Sequence, residues 1–371
     1  KNIRRRPLEL YVHIPFCVRK CQYCDFLSGP SDEETKERYI EALLQEIHAV
    51  EHTEDYEIVS VFIGGGTPSA LKAEAIASVM RTLQEKFFFC EDAEVTIEAN
   101  PGTVDSEKLM TYRNAGINRL SLALQSTDAE ELKMLGRIHS YEEFLQSYQW
   151  AREAGFSNIN IDLMFAIPGQ CYEGWIENLR MVAALGPEHI SAYSLIIEEG
   201  TPFYDMDLNL PNEIQDREMY HFAQDFLKEK GFHQYEISNF AKEGKESVHN
   251  NVYWIRGDYK GFGLGASSLV NNHRLKNTEN MNDYIVGTYV VENEELTKED
   301  IYSEFMFLGL RRNEGINVKS FKKLYGDDIY DIYGEAINTH ISDGLLEKCG
   351  DNIRLTRKGL DLANTVFVDF V

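Results

Sequence analysis

Long apolar runs are missing from this sequence: nothing approaches the ~18–20 residues that span a bilayer, and no apolar signal region follows the basic opening Lys1-Asn2-Ile3-Arg4-Arg5-Arg6. A membrane-spanning protein is not expected, and the reading is a cytoplasmic one. Positive charge is scarce too. Against 61 Asp and Glu stand only 37 Lys and Arg, a net charge of −24 over 371 residues. Nucleic-acid binding draws on cations that displace counterions from phosphate, so DNA and RNA are not expected partners. Six cysteines are too few to build a disulfide scaffold of this size. Low-complexity tracts are absent, as are repeats beyond one recurring unit.

That unit is a short β-branched or apolar run, a turn, and a longer stretch with helical apolar spacing. Strands are expected at Leu8–Ile14, Ile58–Ile63, Glu94–Ala99, Arg119–Leu124, Asn158–Leu163 and His189–Leu195, with amphipathic stretches such as Glu37–Val50 and Tyr141–Ala154 between them. The fold class is α/β: six parallel strands with helical crossovers curl into an open, partial (β/α)6 barrel whose functional loops gather at the strands' C-terminal ends. This core is expected to fill residues 1–230. Aromatic and glycine-rich text, Tyr253-Trp254 through Gly261-Phe262-Gly263-Leu264-Gly265, marks an accessory, β-containing region at 231–296. Residues 297–371 read as a small helical, winged-helix-like domain, with a hairpin near Gly344-Leu345-Leu346-Glu347 and Ile353-Arg354-Leu355-Thr356. In so acidic a chain the wing is expected to have a structural or partner-docking role.

Cys17, Cys21 and Cys24 fall within eight residues directly after the first strand, whereas Cys90, Cys171 and Cys349 are scattered. Three thiolates on one loop suit a [4Fe–4S] cluster, in which one of four irons is left open to a small molecule. Arg19 and Lys20 add positive charge beside the thiolates. Zinc completed by His13 or Asp25, or no metal at all, are the alternatives the spacing leaves open.

Other polar residues cluster at strand ends. Gly64-Gly65-Gly66-Thr67-Pro68 closes the second strand, and consecutive glycines let a polar ligand approach the backbone. Glu98 ends the third strand and can accept from a ribose or an ammonium group. Gln125 lies at the end of the fourth, and Arg137 in Leu135-Gly136-Arg137-Ile138-His139 can clamp a carboxylate. Asp162, inside an apolar strand pattern, needs a partner to justify its burial.

C-x3-C-x2-C after a strand, with aromatic Tyr23 between the last two cysteines, resembles the loop of the radical S-adenosylmethionine (SAM) superfamily. Tyr11-Val12-His13-Ile14-Pro15-Phe16-Cys17 further resembles the oxygen-independent coproporphyrinogen III dehydrogenase group, which includes porphyrinogen decarboxylases and heme chaperones. The resemblance covers nearly the whole chain. It implies a cluster on Cys17, Cys21 and Cys24, and SAM contacts from Tyr11, Tyr23, Gly65, Gly66, Thr67, Glu98, Gln125, Arg137 and Asp162. Two features depart from the decarboxylating members: Phe26 stands where they carry a fourth cysteine, and only sixteen residues precede Cys17 where they have an extension. His249-Asn250-Asn251-Val252-Tyr253-Trp254 matches the H-N-x-x-Y-W element associated with the chaperones. That match implies His249 as an axial ligand to heme, with the neighbouring rings against a porphyrin face. The expected function is binding heme and delivering it to acceptor proteins, respiratory ones at a membrane surface among them. Radical decarboxylation of coproporphyrinogen III is the alternative, and an iron–sulfur redox sensor without SAM turnover a more distant one.

Overall fold

Six apolar runs become six parallel strands in the computed structural model, which describes residues 5–371; the first four residues of the basic opening lie outside it. They are β1 (Arg6–Ile14), β2 (Tyr56–Gly65), β3 (Phe88–Ala99), β4 (Arg119–Gln125), β5 (Ile159–Phe165) and β6 (His189–Ser194). Each pairs in parallel with the next. The expected starts and ends hold to within two or three residues except at β3, which begins at Phe88. There the register jumps between Ile58/Phe89 and Ser60/Glu94, because polar Cys90-Glu91-Asp92 bulges out of the ladder. Helices such as Glu33–His48 and Tyr141–Glu153 cover the outer face, capped by Asp32 and by the reciprocal Ser140/Glu143 pair.

The accessory segment continues this sheet on both sides. Beside β6 lie antiparallel β8 (Asn239–Ala241) and β7 (His233–Glu236). Beside β1 lies β9 (Tyr259–Phe262), pairing in parallel, followed by β10 (Ser267–Val270), β11 (His273–Asn277) and β12 (Val290–Glu295). The result is one twelve-stranded sheet in the order β12-β11-β10-β9-β1-β2-β3-β4-β5-β6-β8-β7. Both edges of the six-stranded core are thereby paired, and the outermost strand, Val290-Val291-Glu292-Asn293-Glu294-Glu295, is exposed and acidic, which opposes edge-to-edge association. Phe240, Phe262, Leu264 and Tyr284 of this segment share the barrel's apolar core.

Residues beyond Thr297 form a second core around Met306, Leu310, Phe321, Ile337, Ile353 and Phe370. Helices Lys298–Gly309, Val318–Tyr325 and Ile329–Ser342 pack on a small sheet of β13 (Ile316–Asn317), β14 (Leu346–Cys349) and β15 (Asn352–Leu355), in the order β13-β15-β14. The Arg311 guanidinium joins this unit to the helix Val248–Trp254 by lying 4.7 Å from the Trp254 ring centroid. Among the described residues no helix is long and apolar enough to cross a membrane.

Candidate functional site

The cysteine loop is pinned before any metal is considered. Phe16 is fully buried against the edge of Tyr39, and the base of the loop closes through Cys17 N–H to Gly29 O (3.1 Å) and Gly29 N–H to Pro15 O (3.0 Å). Lys20 Nζ donates to Phe26 O at 3.0 Å, curling the loop over itself. Burial raises the Cys17 and Cys24 thiols, the nearby thiols add to the rise, and Lys20 opposes it. Arg137 Nη1 donates to Cys21 Sγ at 3.6 Å. His13 is committed elsewhere: Nε2 meets Leu27 O at 2.9 Å and Nδ1 meets the Tyr11 hydroxyl at 3.0 Å. Among the described residues no three His, Cys, Asp or Glu groups converge on a single ion. A cubane asks something different, one thiolate on each of three irons.

Opposite the thiols lies the glycine cradle. Gly66 N–H donates to Ile14 O at 2.8 Å and Thr67 N–H to Phe16 O at 2.6 Å, so the end of β2 is tied to the root of the cysteine loop. Gly65 has φ +112°, and a Cβ on Gly66 would lie 2.6 Å from Phe16 O. Glu98 Oε2 accepts the Gly65 N–H at 3.1 Å. Burial, and then the Asp162 carboxylate, push Glu98 up to about 8. Burial raises Asp162 as well, while Asn160 Nδ2 donates to it at 2.8 Å. Two desolvated carboxyls held this way favour a cationic or hydroxyl-bearing partner.

Arg137 is the third element. Its Nη2 donates to Ala123 O (2.6 Å) and Asn100 Oδ1 (3.0 Å), and its buried Nε has no partner. Gln125 ends β4 at φ +71°, a costly backbone for a non-glycine residue, and accepts the Tyr193 hydroxyl at 2.8 Å. A single cleft of about 350 Å³ is lined by the three cysteines together with Tyr23, Gly65, Gly66, Thr67, Glu98, Gln125, Arg137 and Asp162. Arg119, Ser121 and Ala123 of β4, Asn160 of β5, and His189, Ser191 and Tyr193 of β6 line it as well. Sequence reasoning missed these, although strand alternation carried the signal: each is spaced by two from a chosen or neighbouring residue, hence on the same face.

Two chosen residues stay outside. Tyr11 lies behind the wall, near-parallel to Phe62 at 6.4 Å between centroids. His249 is only 2% exposed and also stacks on Phe62, at 5.0 Å between centroids. Its Nδ1 meets Ser60 Oγ at 3.0 Å and its Nε2 the Tyr253 hydroxyl at 3.2 Å. Burial lowers it to about 3, so the ring is neutral. A heme iron reaches neither nitrogen unless the ring leaves these partners.

Three loop thiols with a guanidinium against one of them, facing a glycine cradle and two buried carboxyls, fit an iron–sulfur cluster beside a ligand that carries an ammonium and a carboxylate. The comparisons agree with this geometry. The radical SAM superfamily profile matches residues 11–182, and the HemN C-terminal domain profile matches residues 296–362. Heme chaperone HemW of Bacillus subtilis is 37% identical over 97% of this chain and 98% of its own length. Heme chaperone HemW of Escherichia coli is 33% identical over 100% and 99%. The solved structure of coproporphyrinogen III oxidase (HemN) from Escherichia coli, a radical SAM enzyme, superposes with a TM-score of 0.87 at 26% identity, covering 99% of this chain and 90% of that one. Membership of the superfamily brings a [4Fe–4S] cluster and SAM as cofactors. On end-to-end identity to its relatives and on the architecture of its cleft, the chain belongs to the HemW heme chaperone family of radical SAM proteins.

Proposed function

We propose that this protein binds heme and delivers it to heme-accepting proteins, with its cluster and SAM in support of that role. The observation that carries the reading is likeness to relatives named heme chaperones along the whole chain, on both sides of the cleft and through the C-terminal unit. Phe26, 61% exposed at the cleft rim where decarboxylating members have a fourth cysteine, points the same way.

In this proposal Cys17, Cys21 and Cys24 hold the cluster. Gly65, Gly66 and Thr67 offer backbone and hydroxyl groups to SAM, with Glu98 and Asp162 facing its cationic and hydroxyl groups. Arg137 and Gln125 orient its remaining polar atoms, Tyr23 closes the side of the cleft, and Tyr11 backs its wall. Held by these residues, the cluster would supply reducing power towards the sulfonium of SAM, and SAM would supply radical chemistry to the cleft. Arg137 balances thiolate charge at Cys21, and the low-polarity surroundings of Glu98 keep its proton until a cation replaces it. The proposed setting is the cytoplasm. A respiratory acceptor is reached at the membrane surface through protein contact, for which the C-terminal wing is the proposed face, since so acidic a chain is repelled by anionic lipid.

The structural likeness to HemN favours one second reading, radical decarboxylation of coproporphyrinogen III. The test is anaerobic. Cluster-loaded protein is given SAM, a reductant and coproporphyrinogen III, and in parallel is titrated with heme and mixed with an apo-acceptor. Heme binding and transfer without protoporphyrinogen are the expected result. Protoporphyrinogen formed together with 5′-deoxyadenosine replaces the chaperone reading with the decarboxylase.

A further inference from the structure

A ladder of polar side chains crosses the floor of the cleft. Strand register sets Ser121 of β4, Asn160 of β5 and His189 of β6 side by side, with Asp162 and Ser191 paired two residues further along. All five line the cleft, and Asn160 and His189 are buried.

The hydrogen bonds of this ladder have a fixed direction. Asn160 Nδ2 donates to Asp162 Oδ1 at 2.8 Å and to Ser121 Oγ at 2.9 Å. The amide oxygen therefore faces the other way, meeting His189 Nδ1 at 2.6 Å and the Ser191 hydroxyl at 3.2 Å. An oxygen at that distance calls for a donor, so Nδ1 carries the ring proton. Burial, and then the Arg119 guanidinium, hold His189 well below the usual histidine range, so the ring is neutral and Nε2 keeps a lone pair. Nε2 accepts the Tyr235 hydroxyl at 2.6 Å, and the Tyr235 oxygen accepts the Ser247 N–H at 3.1 Å. Ser247 caps the helix Val248–Trp254. One chain of donors thus runs from a helix cap, through Tyr235, His189 and Asn160, to a carboxyl group in the cleft.

Both nitrogens of His189 are engaged by protein groups, so the ring has none to offer a ligand. Its influence on the cleft passes through Asn160. Without the Nδ1–H, the Asn160 amide is free to turn and set its oxygen against the Asp162 carboxylate, which loses a hydrogen bond and adds a repulsion.

We infer that His189 is a positioning residue for SAM: its Nδ1–H locks the Asn160 amide, and the locked amide holds the Asp162 carboxylate towards the cationic and hydroxyl groups of SAM. The inference rests on the placing of SAM against Asp162 in the proposed function. A ligand-facing group is held in a productive orientation only when its own neighbours are locked, and here the lock reaches back to a helix cap.

The test is a double-mutant cycle on the equilibrium affinity of anaerobic, cluster-loaded protein for SAM. H189F keeps a buried ring and removes both nitrogens, and H189A replaces it should phenylalanine not be accommodated. H189N returns an amide nitrogen near the place of Nδ1, and D162N removes the carboxylate charge at nearly constant shape. Cluster absorbance and thermal melting verify that each variant folds. H189F is expected to bind SAM about tenfold more weakly, the scale of one charge-assisted hydrogen bond, and H189N to recover most of the loss. In a D162N background the H189F change should alter affinity by less than about twofold, because its route to the ligand is gone. A histidine that only supports the fold would weaken SAM equally with and without Asp162, and that additivity overturns the inference, as does unchanged affinity in H189F. Weaker binding in D162N with no effect of H189F keeps SAM against Asp162 and removes His189 alone. Unchanged affinity in D162N removes the placing of SAM, and the inference with it.

Discussion

His249 Nδ1 lies 3.3 Å from the Glu9 carboxylate, and both groups are buried out of reach of water. Ser60 Oγ touches both, at 3.0 and 3.2 Å. This looks like an ion pair by distance, yet the environment makes it a neutral one: burial pushes Glu9 up to about 9 and His249 down to about 3. Desolvation outweighs their mutual attraction because each charge would lose water and gain only one partner.

A pH dependence of stability follows from Glu9. Between its ordinary value of 4.5 and its folded value of about 9 the native state holds a proton that the unfolded chain has lost. The stability from Glu9 is therefore present below about pH 4.5 and declines as pH rises towards 9. E9Q stays neutral throughout. In urea denaturation the wild-type-minus-variant difference is expected to shift against wild type from pH 6 to pH 9, and a constant difference would show that Glu9 ionises freely in the fold.

Replacing His249 by Ala acts first on the core. It empties a ring-sized space beside Phe62 and strips partners from Ser60 and Tyr253. The expected loss is ~2–4 kcal/mol of unfolding free energy. Measured alongside heme affinity, a large loss of stability with unchanged affinity assigns His249 to the core. The reverse pattern makes it a heme ligand that leaves its partners on binding.

Cys17→Ala, Cys21→Ala and Cys24→Ala are each expected to abolish a stable cluster, because two thiolates do not replace three. Cys90, Cys171 and Cys349 sit elsewhere, and their alanine variants should retain full iron. Anaerobic iron analysis and cluster absorbance decide the matter, and equal iron in all six variants removes the assignment.

Gly66→Ala tests the cradle without touching a charge. The new Cβ meets Phe16 O at 2.6 Å and Ser28 Cβ at 3.0 Å, so the end of β2 must shift away from the cysteine loop. Overpacking of this kind costs ~1–3 kcal/mol, which at a ligand contact converts to roughly 5–150-fold in SAM affinity. Equilibrium binding of SAM to the cluster-loaded variant is the measurement. Affinity within twofold of wild type would place SAM away from Gly66.

Much of the candidate site was legible because a cysteine loop is local. Three cysteines within eight residues, the glycine run after β2 and polar residues at strand ends are properties of short segments, and parallel β/α order carries such ends to one side of a sheet. The six strands were legible for the same reason, since apolar runs of that length have few other ways to bury themselves. Arg119, Asn160 and Tyr193 were harder to see: each occupies the cleft face only by virtue of a register that two or three strands must share. The accessory strands escaped as members of the barrel sheet, because joining β9 to β1 brings together segments some 250 residues apart.

The sequence by itself determined the α/β core, the three thiols on one loop and the polar residues that share their cleft, because periodicity and spacing act within single elements. Tertiary structure alone decided the surroundings of His249. A histidine beside Tyr and Trp in the sequence becomes a neutral core group once β1 brings Glu9 and β2 brings Ser60 and Phe62 against it.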